Sequence, residues 1–170
     1  MKVVIVNTHD VQGGAARAAN RLHKGLLAEG IDSQMLVQAK SSQDFRVLAP
    51  QTKLEKVKAK LRPFLDRIGL SKYKNRTQTL FSRGMSGDST LVKRINALKP
   101  DIVHLHWVNE GFLRISDLPK IEAPIVWSLH DMWPFTGGCH YDEWCGAFVK
   151  GCGSCKVLGS DKTNDLSSKV

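Results

Sequence analysis

A chain of 170 residues with 42% hydrophobic residues is long enough for one domain with a real core. No apolar run approaches the roughly 18 residues of a membrane-spanning helix, and the N-terminal MKVVIVN lacks the length and cleavage site of a secretory signal, so the expected compartment is the cytoplasm. The formal charge of +9 is concentrated, because residues 53–83 hold ten basic side chains against only Glu55 and Asp66.

In chain order the pattern alternates strand and helix. Residues 2–6 are a β-branched run that ends in the polar loop Asn7-Thr8-His9-Asp10. Gly13-Gly14 then opens a helix whose apolar positions Ala15, Ala18, Ala19, Leu22, Leu26 and Leu27 keep helical spacing, and Gly30 supplies its stop. Residues 33–37 read as a second strand, completing a βαβ unit with a right-handed crossover. A dinucleotide fingerprint needs three spaced glycines and an acid ending the second strand. Here there is one adjacent pair, and the strand runs into Gln38-Ala39-Lys40. Gly13 and Gly14 therefore serve either a tight turn or the approach of backbone N–H groups to a phosphate or sugar at a helix start.

Residues 41–50 are polar and loop-like. Leu54, Val57, Leu61, Leu65 and Ile68 then recur at helical spacing among Lys53, Lys56, Lys58, Lys60 and Arg62, which predicts an amphipathic helix kinked or restarted at Pro63. Its lysines are either simply solvated or dock on an anionic membrane surface or another polyanion. Residues 70–87 show no period and read as an exposed loop. Asp88-Ser89 are good helix caps before the stripe Leu91, Ile95, Leu98, which Pro100 ends.

Residues 101–107, DIVHLHW, form the third strand, with His104 and His106 on one face of it. A metal pair there lacks a third ligand, so His104 reads as a packed core residue. His106 and Trp107 at the strand's carboxyl end, together with Asn109, Glu110 and Gly111, are candidates for lining a pocket. A short helix is expected near Ser116. The strand at residues 125–129 turns polar at His130-Asp131, and ligands of open α/β sheets bind at such strand ends. Asp131 either orients a substrate hydroxyl or caps the next turn.

All four cysteines, Cys139, Cys145, Cys152 and Cys155, fall within seventeen residues. Their spacing, Cys-x5-Cys-x6-Cys-x2-Cys with glycines at 138, 146, 151 and 153, predicts one structural Zn²⁺, with His140 as a substitute ligand and free thiols or disulfides as alternatives. A thiol redox role for Cys152-Gly153-Ser154-Cys155 lacks the helix start that such motifs use. A basic zinc-knuckle module that binds nucleic acid is the alternative function. Against it, the basic segment has few aromatics for stacking.

The blocks MKVVIVNTHDVQGGAARAANRLHKGL, PDIVHLHWVNEGF and PIVWSLHDMWPFTGGCHY with GCGSC, in this order, resemble the N-terminal half of a family 4 glycosyltransferase of bacterial polysaccharide biosynthesis. The resemblance implies the acceptor-side, Rossmann-like half of a GT-B fold: an open parallel sheet with flanking helices spanning 1–158, a cysteine-rich loop at 137–156 and a linker-like tail at 159–170. A second domain, expected outside this chain, would bind the nucleotide sugar, so the chain alone is expected to be inactive. It further implies retaining transfer to a polysaccharide or lipid-linked acceptor, peripheral to the inner face of the cell membrane. The matching positions are Gly13 and Gly14 for the glycine-rich loop and His130 for the functional histidine, with Asp131 beside it. The absence of an Asp-x-Asp motif leads to the expectation of no catalytic metal.

Overall fold

The computed structural model describes residues 1–170. Strands β1 (Lys2–His9), β2 (Asp32–Ala39), β3 (Val47–Leu48), β4 (Ile102–Leu105) and β5 (Ile125–Trp127) form one parallel sheet in the order β3-β2-β1-β4-β5. With helices α1 (Gly14–Ala28), α2 (Lys53–Arg67) and α3 (Leu91–Ala97), this is a Rossmann-like α/β domain, consistent with the N-terminal domain of a GT-B fold.

β1 lies at the centre, buried on both faces, which is why its sequence is a continuous β-branched run rather than an alternating one. Val4 and Val6 point to a core shared with Leu36, Val103, Leu105, Leu91, Ile95 and Phe112, while Val3 and Ile5 point to the opposite face, under Ala19 of α1. Each such aliphatic side chain, fully buried, stabilises the fold by about 1.5–3 kcal/mol. From β1 the strand order runs outward to β2 on one side and to β4 on the other. The crevice between the carboxyl ends of β1 and β4 is therefore the topological switch point.

Several details differ from the sequence expectation. β3 arises inside the segment read as loop, because two residues are too short to show a period. α1 buries Ala16, Ala19, Asn20 and His23 and leaves Ala18 exposed. His23 is tolerated in that interface because its Nδ1 meets Ser33 Oγ at 2.8 Å. α2 runs without a break through Pro63, started by a Thr52–Glu55 capping box. It is also turned inside out: Ala59 and Asp66 face inward, whereas Leu54 (63% exposed), Val57, Leu61, Phe64 (69%), Leu65 and Ile68 face solvent.

Residues 70–87 are exposed over most of 71–80, as expected, but are anchored at the buried Leu70, Phe81, Ser82 and Gly84. Leu70 and Phe81 pack with Cys139, Cys155, Val157 and Leu158 in a third small core, and Phe81 bridges Cys139. The tail is likewise tied down: Asp165 and Ser167 are buried, the Cys155 amide donates to Asp165 Oδ2 at 2.8 Å, and the Leu166 amide donates to the Tyr73 hydroxyl at 2.9 Å. Both segments lack periodicity because distant side chains hold them, not a helix or a ladder. No helix is long and apolar enough to cross a membrane.

Candidate active site

A cavity of about 530 Å³ opens at the switch point. Asn7 and His9 enter it from the end of β1, residues 12–16 from the start of α1, Trp107 and Glu110 from beyond β4, and His130 and Asp131 from beyond β5. Gly13, the residue before α1, has φ 91°, a conformation that favours glycine, and no side chain caps the helix. The first amides of α1 thus face the cavity without a side-chain partner, at the positive end of the helix dipole. A Cβ on Gly14 would meet nothing within 4 Å, so local packing does not demand glycine there.

Opposite α1 stands a column of imidazoles. His104 stacks on His106 with ring centroids 4.6 Å apart, His106 stacks on His130 at 5.1 Å, and His106 Nδ1 pairs with His130 Nε2 at 2.9 Å. Burial, reinforced by the neighbouring His104 and His130, pushes the His106 pKa down to about 4. A neutral imidazole therefore backs His130, which is exposed to the cavity.

Asp131 is fixed from three sides. The Trp107 indole donates to its Oδ2 at 2.9 Å, His140 Nδ1 donates to the same oxygen at 2.5 Å, and the Trp133 amide donates to Oδ1 at 3.0 Å. Burial opposes its charge, but the bonds from His140, Trp133 and Trp107 outweigh it and hold the carboxyl below the usual range. His140 is 1% exposed, and its Nε2 pairs with Ser82 Oγ at 2.9 Å. The order carboxylate–imidazole–hydroxyl is that of a hydrolytic triad, but Ser82 is buried and does not line the cavity, so here it positions Asp131. Glu110 takes a bond from His9 Nε2 at 3.1 Å, and that bond, outweighing burial, keeps it charged to lower pH than an ordinary glutamate.

The profile of Glycosyltransferase Family 4 matches residues 12–149. The chain belongs to glycosyltransferase family 4. Over 178 aligned residues this family 4 chain is 25% identical to an Escherichia coli (strain K12) protein provisionally named colanic acid biosynthesis glycosyl transferase WcaC. The alignment covers 94% of the chain and 40% of that protein, so the chain spans about two-fifths of the length of this curated relative. No solved structure matches it.

Of the residues singled out from sequence, the family 4 cleft brings together Gly13, Gly14, Trp107, Glu110, His130 and Asp131. It places His106 and Asn109 behind its wall: both are buried, His106 against His130, and Asn109 with its carbonyl accepting the Thr8 hydroxyl at 3.0 Å. Sequence reasoning missed His9 and His140 as cleft residues. His9 ends β1, a signal available in the sequence. The sequence marks His140 only as a substitute zinc ligand, and both its ring nitrogens are engaged elsewhere.

A larger cavity of about 620 Å³ shares His9 and Glu110 with the cleft and continues between β2 and α2, where Lys40, Lys56 and Lys60 line it. The four cysteines line a third cavity on the far side of His140, and no group of three histidine, cysteine or acidic side chains is arranged to hold a metal ion as the side chains stand. Burial pushes the Cys139 thiol up to about 11 and also raises that of Cys155, and the second shift weakens the redox reading of Cys152-Gly153-Ser154-Cys155. Family membership also disfavours the nucleic-acid module.

Proposed function

We propose that this chain is the acceptor-side half of a retaining glycosyltransferase that moves a sugar from a nucleotide-sugar donor, carried by a second domain, to a polysaccharide or lipid-linked acceptor. The observation that carries the reading is the shared cleft: the uncapped amino end of α1 and His130 face one another across a single cavity at the switch point. Departure of a nucleoside diphosphate builds negative charge, which the free amides of α1 suit. The sugar simultaneously gains oxocarbenium character, and His130, steadied by neutral His106, offers a ring nitrogen to it or to its hydroxyls. Asp131 Oδ1 keeps a lone pair beyond its bond to Trp133 and can align an acceptor hydroxyl.

The acceptor enters through the larger cavity, where Lys40, Lys56 and Lys60 suit a lipid-linked diphosphate. The outward apolar face of α2, rimmed by lysines, lies flat on an anionic membrane at the cytoplasmic side. Two measurements test this. Titrating a short-chain lipid diphosphate sugar into the labelled chain should shift the amides of residues 13–16, His130 and Asp131; shifts confined to other surfaces would sink the reading. The chain alone should give no turnover. Joined to a donor-binding domain it should transfer with retained anomeric configuration, and His130→Ala should lower kcat by about 100-fold or more.

A further inference from the structure

The cysteine loop holds a cavity of about 270 Å³ whose only metal-ligating side chains are the thiols of Cys139, Cys145, Cys152 and Cys155. Neither a histidine nor a carboxylate enters it. His140, the one nearby imidazole, is turned away and bonded to Asp131 and Ser82. From this all-thiol donor set around one cavity we infer that these four cysteines bind one structural Zn²⁺ as a tetrathiolate site.

Three further observations support the site. First, a donor is already aimed at one sulfur: the Gly137 amide donates to Cys152 Sγ at 3.2 Å. A zinc tetrathiolate carries a net charge of −2, and N–H···S bonds of this kind are the outer shell that such a site needs. Lys156, in the cavity wall, adds a compensating cation. Second, the backbone is folded as a ligand loop. Glu143, Trp144 and Ser154 have positive φ, and so do Gly146, Gly151 and Gly153. Gly137 packs so closely that a Cβ there would lie 2.2 Å from Ser167 O and 2.6 Å from Cys152 Cβ. Third, beyond β5 the chain has only single turns of 3₁₀ helix and a core of a few buried side chains, two of them the thiols of Cys139 and Cys155. A region that poor in apolar burial fits a metal as its cross-link.

Soft donors alone select zinc or another thiophilic ion over magnesium or calcium. Binding involves no redox change: four thiols release four protons, and the four thiolates occupy a tetrahedron with Zn–S near 2.3 Å, hence sulfurs about 3.8 Å apart. Reaching it takes rotation of the cysteine side chains around the existing cavity. Cys139 directly precedes His140, so the ion would also steady the imidazole that holds Asp131.

The test uses the whole chain, purified without chelator. The expected result is about one zinc per chain by elemental analysis, thiols silent to a titrant in the native protein, and four reactive thiols after denaturation with chelator. Cobalt exchanged into the protein should show intense visible d–d bands and thiolate-to-metal charge transfer, both reduced in Cys145→Ser and Cys152→Ser. Removing zinc from the unaltered protein should move the Trp107 indole and Asp131 amide resonances, a readout that does not depend on the variants folding. Less than about a tenth of an equivalent of zinc with four freely titrating thiols would overturn the inference. So would an as-isolated mass four hydrogens below that of the reduced chain, the mark of two disulfides.

Discussion

Trp107, His140 and the Trp133 amide all direct a donor at Asp131, and the one alternative acceptor within reach is His140 Nδ1, a longer 3.4 Å from the Trp107 indole. Asp131→Ala should therefore cost more than a surface substitution, about 2–3 kcal/mol in chemical denaturation, because it strands buried donors as well as removing a charge. An outcome within about 0.5 kcal/mol of the parent would show that the network carries no stability. His106 gives a pH prediction. Its folded pKa of about 4 lies below the ordinary 6.5, so protons favour the unfolded chain. Its contribution is complete above about pH 6.5 and is lost as the pH falls toward 4. A loss on the order of 2 kcal/mol across that window is expected, and a His106→Gln variant, which cannot titrate, should show a flatter profile. At this scale the sequence exposes the residues that lie past the ends of strands: Gly13, Gly14, Glu110, His130 and Asp131 all occupy such positions. It does not expose depth, so His106 and Asn109, expected on the cleft wall, stand behind it.

Among the elements, α2 shows most clearly where hydrophobic periodicity misleads. Leu54, Val57, Leu61, Phe64, Leu65 and Ile68 fall within an arc of about 100° on the helix, the pattern of a core-facing stripe. The inward face is occupied instead by Ala59, Arg62 and Asp66. Arg62 pairs with Asp88 at 3.0 Å and Asp66 takes the Ser86 hydroxyl at 2.9 Å. Replacing Leu61 and Phe64 together by aspartate should leave the unfolding midpoint within about 0.5 kcal/mol of the parent. The same change should lower co-sedimentation with anionic vesicles at least about tenfold. Equal sedimentation of the parent with neutral and anionic vesicles would refute the docking role. Strands β1, β2, β4 and β5 were legible because each is a short apolar run bounded by polar or turn residues. β3 was not, since two residues carry no period.

For the molecule as a whole, the unexpected structure lies in the segments that join the cysteine loop to the body. Residues 70–87, the loop and the tail share the small core around Phe81 and Leu158, and Asp165 anchors the tail by accepting from the Cys155 and Ser167 amides. Asp165→Ala should destabilise the chain by about 2 kcal/mol and raise the rate at which Cys155 reacts with a thiol reagent. An unchanged reaction rate would show that the tail closes nothing. None of this was readable as pattern, because its determinants are single bonds between residues far apart in sequence. The inverted polarity of α2 has a further consequence. Since its six outward residues hold no part of the core, they can be exchanged one at a time without the chain ever passing through an unfolded variant. Selection can thus vary that face at little risk to the cleft at the switch point, leaving the outer surface evolvable where the sheet is not.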